Sequence, residues 1–274
     1  MDKQDKLPTT YLFVPANRPD RYARAFAAGA DAVIADLEDA VSTEDKASAR
    51  HALGDWCIAH RDMAAKVIVR INGETTEWFE EDLALANAVG INTIMLPKAE
   101  LASQIARVKG ALPPGSAIIP IIETARGLLN VDSVTVAAGV QRLAFGTLDY
   151  AVDLDLSGDE RGLIYPACRM ALASRAAGLA APIAGVTADL ADEAALLSDL
   201  AFARACGFTA KLCIHPKQVA LIRQALMPSA RELDWAQRVI AATDASRGAV
   251  QVDGKMVDRP VLLKAQAILD RIPA

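Results

Sequence analysis

The chain has 274 residues, 53% of them hydrophobic but only 5% aromatic, with a net charge of −5. That length excludes a small stapled domain, and the acidic balance gives no basic face for nucleic acid and no polybasic patch for a membrane. The four cysteines, Cys57, Cys168, Cys206 and Cys213, lack metal or framework spacing. Reduced thiols in a cytoplasmic setting are therefore expected, and the polar opening Met1 to Thr10 argues against secretion. No 18-residue apolar run follows, so no membrane span is expected.

Eight apolar, β-rich runs recur in chain order: Tyr11–Pro15, Ala32–Leu37, Lys66–Ile71, Thr93–Leu96, Ala117–Ile122, Arg142–Phe145, Pro182–Val186 and Lys211–Ile214. Helical patterns lie between them, for example Arg18–Ala28, Thr43–Ala59, Thr76–Val89 and Asp192–Cys206. Gly29, Gly90, Gly178 and Gly207 each stand just past a helical stretch, where a left-handed cap is needed. Eight βα units over roughly 220 residues predict an α/β fold, a (β/α)8 TIM barrel. A doubly wound open sheet is the alternative, since sequence orders strands along the chain and not in space. No glycine-rich nucleotide fingerprint follows any strand.

The last part of the chain differs. Arg231–Asp244 reads as one more helix, Arg247–Asp258 as a short, mixed, glycine-containing stretch, and Val261–Ile272 as an amphipathic helix behind Pro260. Residues 1–228 are read as the barrel, and 229–274 as a C-terminal helical lid or oligomerisation extension of the same domain. A plain helix docked on the side fits the pattern equally well.

In a barrel, chemistry collects at the carboxyl ends of the strands. The run Ile118-Ile119-Pro120-Ile121-Ile122 is apolar on both faces and then meets Glu123. A carboxylate there either emerges at an exposed edge or faces a cation. Other ends are polar too: Asp36-Leu37-Glu38-Asp39, Arg70-Ile71-Asn72, Pro97-Lys98, Gly146-Thr147-Leu148-Asp149 and His215-Pro216. Each alone is a common solvated loop residue; together they point to a site. Glu123 and Asp149, at neighbouring strand ends, are two hard oxygen donors suited to Mg²⁺, which often takes only one or two protein carboxylates. Arg70 offers a planar fork to a substrate oxyanion, and Gly146 and Thr147 offer backbone N–H groups to an anion. Such a set suits stabilisation of an enolate. Lys98 and Lys211 are weaker Schiff-base candidates, because Lys211 opens its strand and should point away from the mouth. His215 is as readily a hydrogen-bonded strand terminator, and His51 and His60 read as surface.

These residues resemble the citrate lyase β-subunit-like branch of the HpcH/HpaI aldolase family, in the pyruvate/phosphoenolpyruvate barrel superfamily. The matching stretches run from Leu12-Phe13-Val14-Pro15-Ala16-Asn17-Arg18-Pro19 through Ala35-Asp36-Leu37-Glu38-Asp39-Ala40 and Val69-Arg70-Ile71-Asn72. They continue through Leu96-Pro97-Lys98, Ile122-Glu123-Thr124-Ala125-Arg126-Gly127, Phe145-Gly146-Thr147-Leu148-Asp149-Tyr150 and Lys211-Leu212-Cys213-Ile214-His215-Pro216. The resemblance implies a Mg²⁺-dependent barrel, usually a homotrimer, acting on acyl-CoA thioesters. It sets Glu123 and Asp149 on the metal ligands and Arg70 on the substrate-polarising arginine. Glu38 and Asp39 fall on the catalytic acidic turn, and Arg18 in the segment that meets CoA. Gly254-Lys255-Met256-Val257-Asp258-Arg259-Pro260 is similar to the lid motif whose aspartate, here Asp258, serves a neighbouring subunit as acid/base.

The expected reaction is cleavage of a 3-hydroxyacyl-CoA, of the citramalyl-, malyl- or citryl-CoA type, to acetyl-CoA and a 2-oxo acid. The alternatives are a malate-synthase-like condensation or thioester hydrolysis on the same site, a metal-dependent aldolase on free 2-oxo acids, and a complex-dependent citrate lyase β subunit.

Overall fold

The computed structural model describes residues 7–245 and 250–272. Residues 1–6 of the polar opening and 247–249 of the mixed stretch lie outside the described residues. The chain falls into two compact units divided between Ile222 and Arg223, a little before the expected boundary.

The first unit is a closed parallel barrel with its strands in chain order. They are β1 (Thr10–Pro15), β2 (Ala32–Asp36), β3 (Val67–Arg70), β4 (Thr93–Leu96), β5 (Ala117–Ile122), β6 (Ala144–Phe145), β7 (Ile183–Ala184) and β8 (Ala210–Cys213). Pairing of β1 with both β2 and β8 closes the ring and removes the open-sheet alternative. Helices α1 (Tyr22–Ala27), α2 (Lys46–Ala59), α3 (Arg61–Ala64), α4 (Phe79–Ala88), α5 (Ala102–Ala111), α6 (Ala125–Leu129), α7 (Val131–Thr135), α8 (Thr147–Asp153), α9 (Arg161–Ala176) and α10 (Glu193–Ala205) fill the crossovers. Helix α11 (Pro216–Leu226) follows β8. Gly29 and Gly207 take φ of 85° and 98° beyond α1 and α10, a conformation that penalises a Cβ.

Alternation along the strands sets what fills the barrel. Tyr11, Ile34, Ile68, Met95, Ile119, Ile121 and Leu212 belong to one buried cluster, each on the inward face. Carried two residues further, the same alternation points Asp36, Arg70 and Glu123 inward at the mouth. Pro120 interrupts β5 where its missing N–H costs little. Strand β6 pairs only with Ile121 and Ile122, and the one other bridge on that side is at Ile118.

The second unit contains α12 (Ala230–Ala245), an antiparallel hairpin of β9 (Val250–Val252) and β10 (Lys255–Val257), and α13 (Arg259–Leu269). The hairpin occupies part of the stretch expected to be irregular. The unit has its own apolar core around Ala236, Val239, Ala265 and Ile268.

Candidate active site

The mouth is organised by strand register. Asp36 and Arg70 are directly opposed residues of β2 and β3. Asp36 takes Arg70 Nε at 2.7 Å on Oδ1 and Nη2 at 2.6 Å on Oδ2, a bidentate pair with Asp36 only 1% exposed. The same carboxylate accepts the N–H groups of Glu38 and Ala40 and so folds the acidic turn. The Arg70 guanidinium also stacks 4.7 Å from the centre of the Phe13 ring. Burial works against its charge, but Asp36, Glu38 and Asp39 more than offset that and raise its pKa.

Glu38 and Asp39 meet the same guanidinium. Arg70 Nη1 lies 3.2 Å from Asp39 Oδ2 and 2.8 Å from Glu38 Oε2. The Glu38 contact is an ion pair without hydrogen-bond alignment, so Oε2 is buried and otherwise unpartnered. Burial pushes the Glu38 carboxyl up to about 7, Arg70 pulls it back and Asp39 adds to the rise. From below, Lys46 Nζ donates to the carbonyls of Leu37 and Glu38, both at 2.7 Å.

Glu123 is 3% exposed, and its Oε1 accepts the Lys98 N–H at 2.7 Å. Lys98 reaches this position with a φ of 48°, in the left-handed region that non-glycine residues seldom adopt. Burial, then the neighbouring Glu38, push the Glu123 carboxyl up to about 8; the Lys98 amide lowers it and Asp149 raises it. Burial pulls the Lys98 ammonium down, but Glu38, Glu123, Asp39 and Asp149 outweigh it, so the side chain stays protonated and is a poor Schiff-base nucleophile.

One of the expected anion-binding contacts differs. The Gly146 N–H donates to Ile122 O at 3.0 Å and belongs to the barrel ladder. What Gly146 supplies is room: a Cβ there would lie 2.3 Å from Glu123 Oε2. The Thr147 side chain packs over Gly185, whose own Cβ would meet Thr147 Oγ1 at 2.3 Å. Asp149 is exposed in the first turn of α8, close enough for its charge to act on Glu123 and Lys98.

A cation fits this mouth. Glu38 and Glu123 are buried carboxylates that raise each other's cost, Glu38 keeps an orphaned oxygen, and the missing Cβ at Gly146 leaves Glu123 its space. Among the described residues no group of three or more His, Cys, Asp or Glu forms a self-sufficient metal site. Glu123 and Asp149 offer oxygen donors only, and such a pair would leave most of a coordination sphere to water or substrate, the habit of Mg²⁺.

Three other candidates make local contacts. Arg18 makes a bidentate pair with Asp20 at 2.9 and 2.8 Å, half exposed. Asp258, in the second unit, caps α13 by accepting the Val261 N–H at 3.1 Å. His215 accepts the Lys217 N–H at 3.2 Å, as a strand terminator would. Lys211 faces outward as expected, but as the second residue of β8, between the inward Ala210 and Leu212, rather than as its opener. Asn72 is structural: it is 2% exposed and bonds Asp82 and Leu37 O. Sequence reasoning missed Asp36 as the anchor of Arg70 and Lys46 as the prop of the turn. Both lie in the pattern, but only the register reveals their partners.

A closed parallel barrel of eight strands defines a class, the (β/α)8 TIM barrel, here with an arginine pinned amid carboxylates at its mouth. More narrowly, the chain belongs to the HpcH/HpaI aldolase/citrate lyase family, whose model matches residues 9–216. It is 37% identical over 268 residues to a citrate lyase subunit beta-like protein of Mycobacterium tuberculosis (strain ATCC 25618 / H37Rv), covering 95% of this chain and 94% of that protein. It is 32% identical over 274 residues to a (3S)-malyl-CoA thioesterase of Cereibacter sphaeroides (strain ATCC 17025 / ATH 2.4.3), covering 94% of each. Among solved structures, it superposes with a TM-score of 0.83 on CitE from Mycobacterium tuberculosis in complex with magnesium, acetoacetate and coenzyme A. That match has 35% identity and covers 96% of this chain and 97% of the other. Among the described residues, no helix is long and apolar enough to cross a membrane.

Proposed function

We propose that the protein is a Mg²⁺-dependent carbon–carbon lyase that cleaves a 3-hydroxyacyl-CoA to acetyl-CoA and a 2-oxo acid. The observation that carries this reading is the Arg70 fork, fixed by Asp36 beside the buried carboxylates Glu38 and Glu123. The relatives named for citrate lyase β and malyl-CoA, and the similar structure holding magnesium and coenzyme A, support the substrate class.

Glu123 and Asp149 would hold the metal, which when bound supplies positive charge to the substrate's oxygens. The remaining steps belong to side chains. Asp36 occupies Nε and one N–H of Nη2 on Arg70, and Asp39 one N–H of Nη1, leaving one N–H on each terminal nitrogen for the substrate hydroxyl oxygen and its carboxylate. Glu38 Oε2 accepts the hydroxyl proton. The C–O bond becomes a carbonyl, the C–C bond breaks, and its electron pair passes to the α-carbon of the acyl-CoA. Asp258 of a second copy then gives that carbon its proton. In this reading 229–274 is a lid over a neighbouring subunit of a homotrimer, and Arg18 exchanges Asp20 for a phosphate of CoA.

The experiment is a panel of malyl-, citramalyl- and citryl-CoA with purified protein, with and without EDTA, and with products resolved. Acetyl-CoA and a 2-oxo acid in equal amounts, lost on chelation, are expected. Free CoA with an intact hydroxy acid would replace the lyase by a thioesterase, the reading favoured by the name of the Cereibacter sphaeroides relative. Turnover of free hydroxy acids alone would remove CoA from the proposal.

A further inference from the structure

A cavity of about 330 Å³ lies outside the barrel wall, between the outer faces of β6, β7 and β8 and helices α8, α9 and α10. That is the lower end of the range for small-molecule pockets. Most of its wall is apolar, including Leu156, Leu163, Val186, Phe202 and Phe208. One end is not. Lys211 lines it, 1% exposed, and donates to Gly185 O at 2.8 Å. Its nearest counter-charge is Asp199 Oδ2 at 4.0 Å, beyond hydrogen-bond reach, and that oxygen already accepts the Thr187 hydroxyl. An ammonium has three N–H donors, and among the described residues Lys211 uses one.

A buried ammonium with a single hydrogen bond is costly, and close packing alone would have closed the space beside it. The charges at this end are mixed. A simple anion would meet Lys211 but also Asp199 and the nearby Glu160, and a simple amine would meet Lys211 itself. A ligand bearing both charges on one carbon satisfies both partners. A large apolar side chain then fills the remaining volume against Phe202 and Phe208.

We propose that this cavity is a binding site for an amino acid with a large apolar side chain, its carboxylate on Lys211 and its ammonium on Asp199. The site lies on the outer side of the barrel wall, with Thr147 in its lining, and its test does not depend on catalysis. Isothermal titration of the full chain with L-phenylalanine should show saturable binding. 3-Phenylpropanoate and 2-phenylethylamine, each lacking one charge, should bind at least tenfold more weakly. Lys211→Met should weaken L-phenylalanine binding at least tenfold. Ala184→Leu, which fills the cavity from β7 beside the Lys211 stem while leaving both charged groups in place, should abolish binding while the far-ultraviolet circular dichroism stays unchanged. Should Lys211→Met fail to fold, Ala184→Leu and the two analogues decide alone. The proposal is overturned by an absence of saturable binding with both L-phenylalanine and L-leucine. It is equally overturned if either analogue matches L-phenylalanine, or if binding persists in Ala184→Leu.

Discussion

The two ends of the barrel treat charge in opposite ways. At the floor, Arg142 is 2% exposed and spends its guanidinium on Ala181 O, Pro8 O, the Tyr11 hydroxyl and the Thr209 hydroxyl. Nearby, Asp31 Oδ2 gathers the N–H and hydroxyl groups of both Thr9 and Thr10. At the mouth, Glu38 and Glu123 are as deeply buried but poorly matched, and burial pushes them up to about 7 and 8. Buried charge with its partners in place is architecture. Buried charge whose partners leave an oxygen without a hydrogen bond, as Arg70 leaves Glu38 Oε2, has room for something else to complete it.

The comparison can be broken in four places. The largest effect belongs to Glu123→Gln, which should cut turnover by about 10³-fold or more, roughly 4 kcal/mol in the barrier. Mg²⁺ binding by calorimetry should weaken in parallel. The same change should raise the melting temperature of EDTA-treated protein, because a costly buried carboxylate is gone. Arg142→Met at the floor should do the reverse. It should cost roughly 3 kcal/mol of stability in urea titration by orphaning several acceptors, while kcat of the folded fraction changes little.

Arg70→Lys keeps the charge but loses the fork on Asp36, so kcat/KM should fall by about 10²-fold with a smaller change in stability. The smallest effect is Asp31→Ala, at most about 1 kcal/mol at neutral pH because the group is well exposed. Burial tends to raise the Asp31 pKa, yet its bonds to Thr9 and Thr10 leave it below the usual carboxylate value. Its contribution is therefore present above about pH 4 and lost as pH falls through the folded value. Denaturant midpoints for wild type and variant should converge below that range. Midpoints that stay apart would mean that Asp31 acts through packing.

Much of this was legible along the chain. The eight strands stand within two residues of their expected ends, because an apolar run between turn signals leaves little choice. Glu123 was legible as a ligand candidate because a charge closing a two-sided apolar strand is conspicuous. What sequence hides is partnership. Asp36 and Arg70 are opposed only once β2 and β3 are in register, and Lys46 looks like an ordinary helix lysine until its ammonium is found under Leu37 and Glu38. Arg142 reads as an ordinary strand opener. The Gly146 N–H was credited to an anion because the sheet's claim on it is invisible before β5 and β6 pair.

Lys98 contributes through two parts that can be inherited separately. Its amide reaches Glu123 because the backbone turns left-handed, while its ammonium lies 3.5 Å from Glu38. Glycine or asparagine at this position would keep the turn and discard the charge, whereas valine or isoleucine would forfeit the turn itself. Drift at position 98 should therefore follow backbone tolerance before side-chain chemistry. For the amide held against Glu123, an arginine there, similar in charge but no better suited to the turn, is a less conservative replacement than a glycine with no side chain at all.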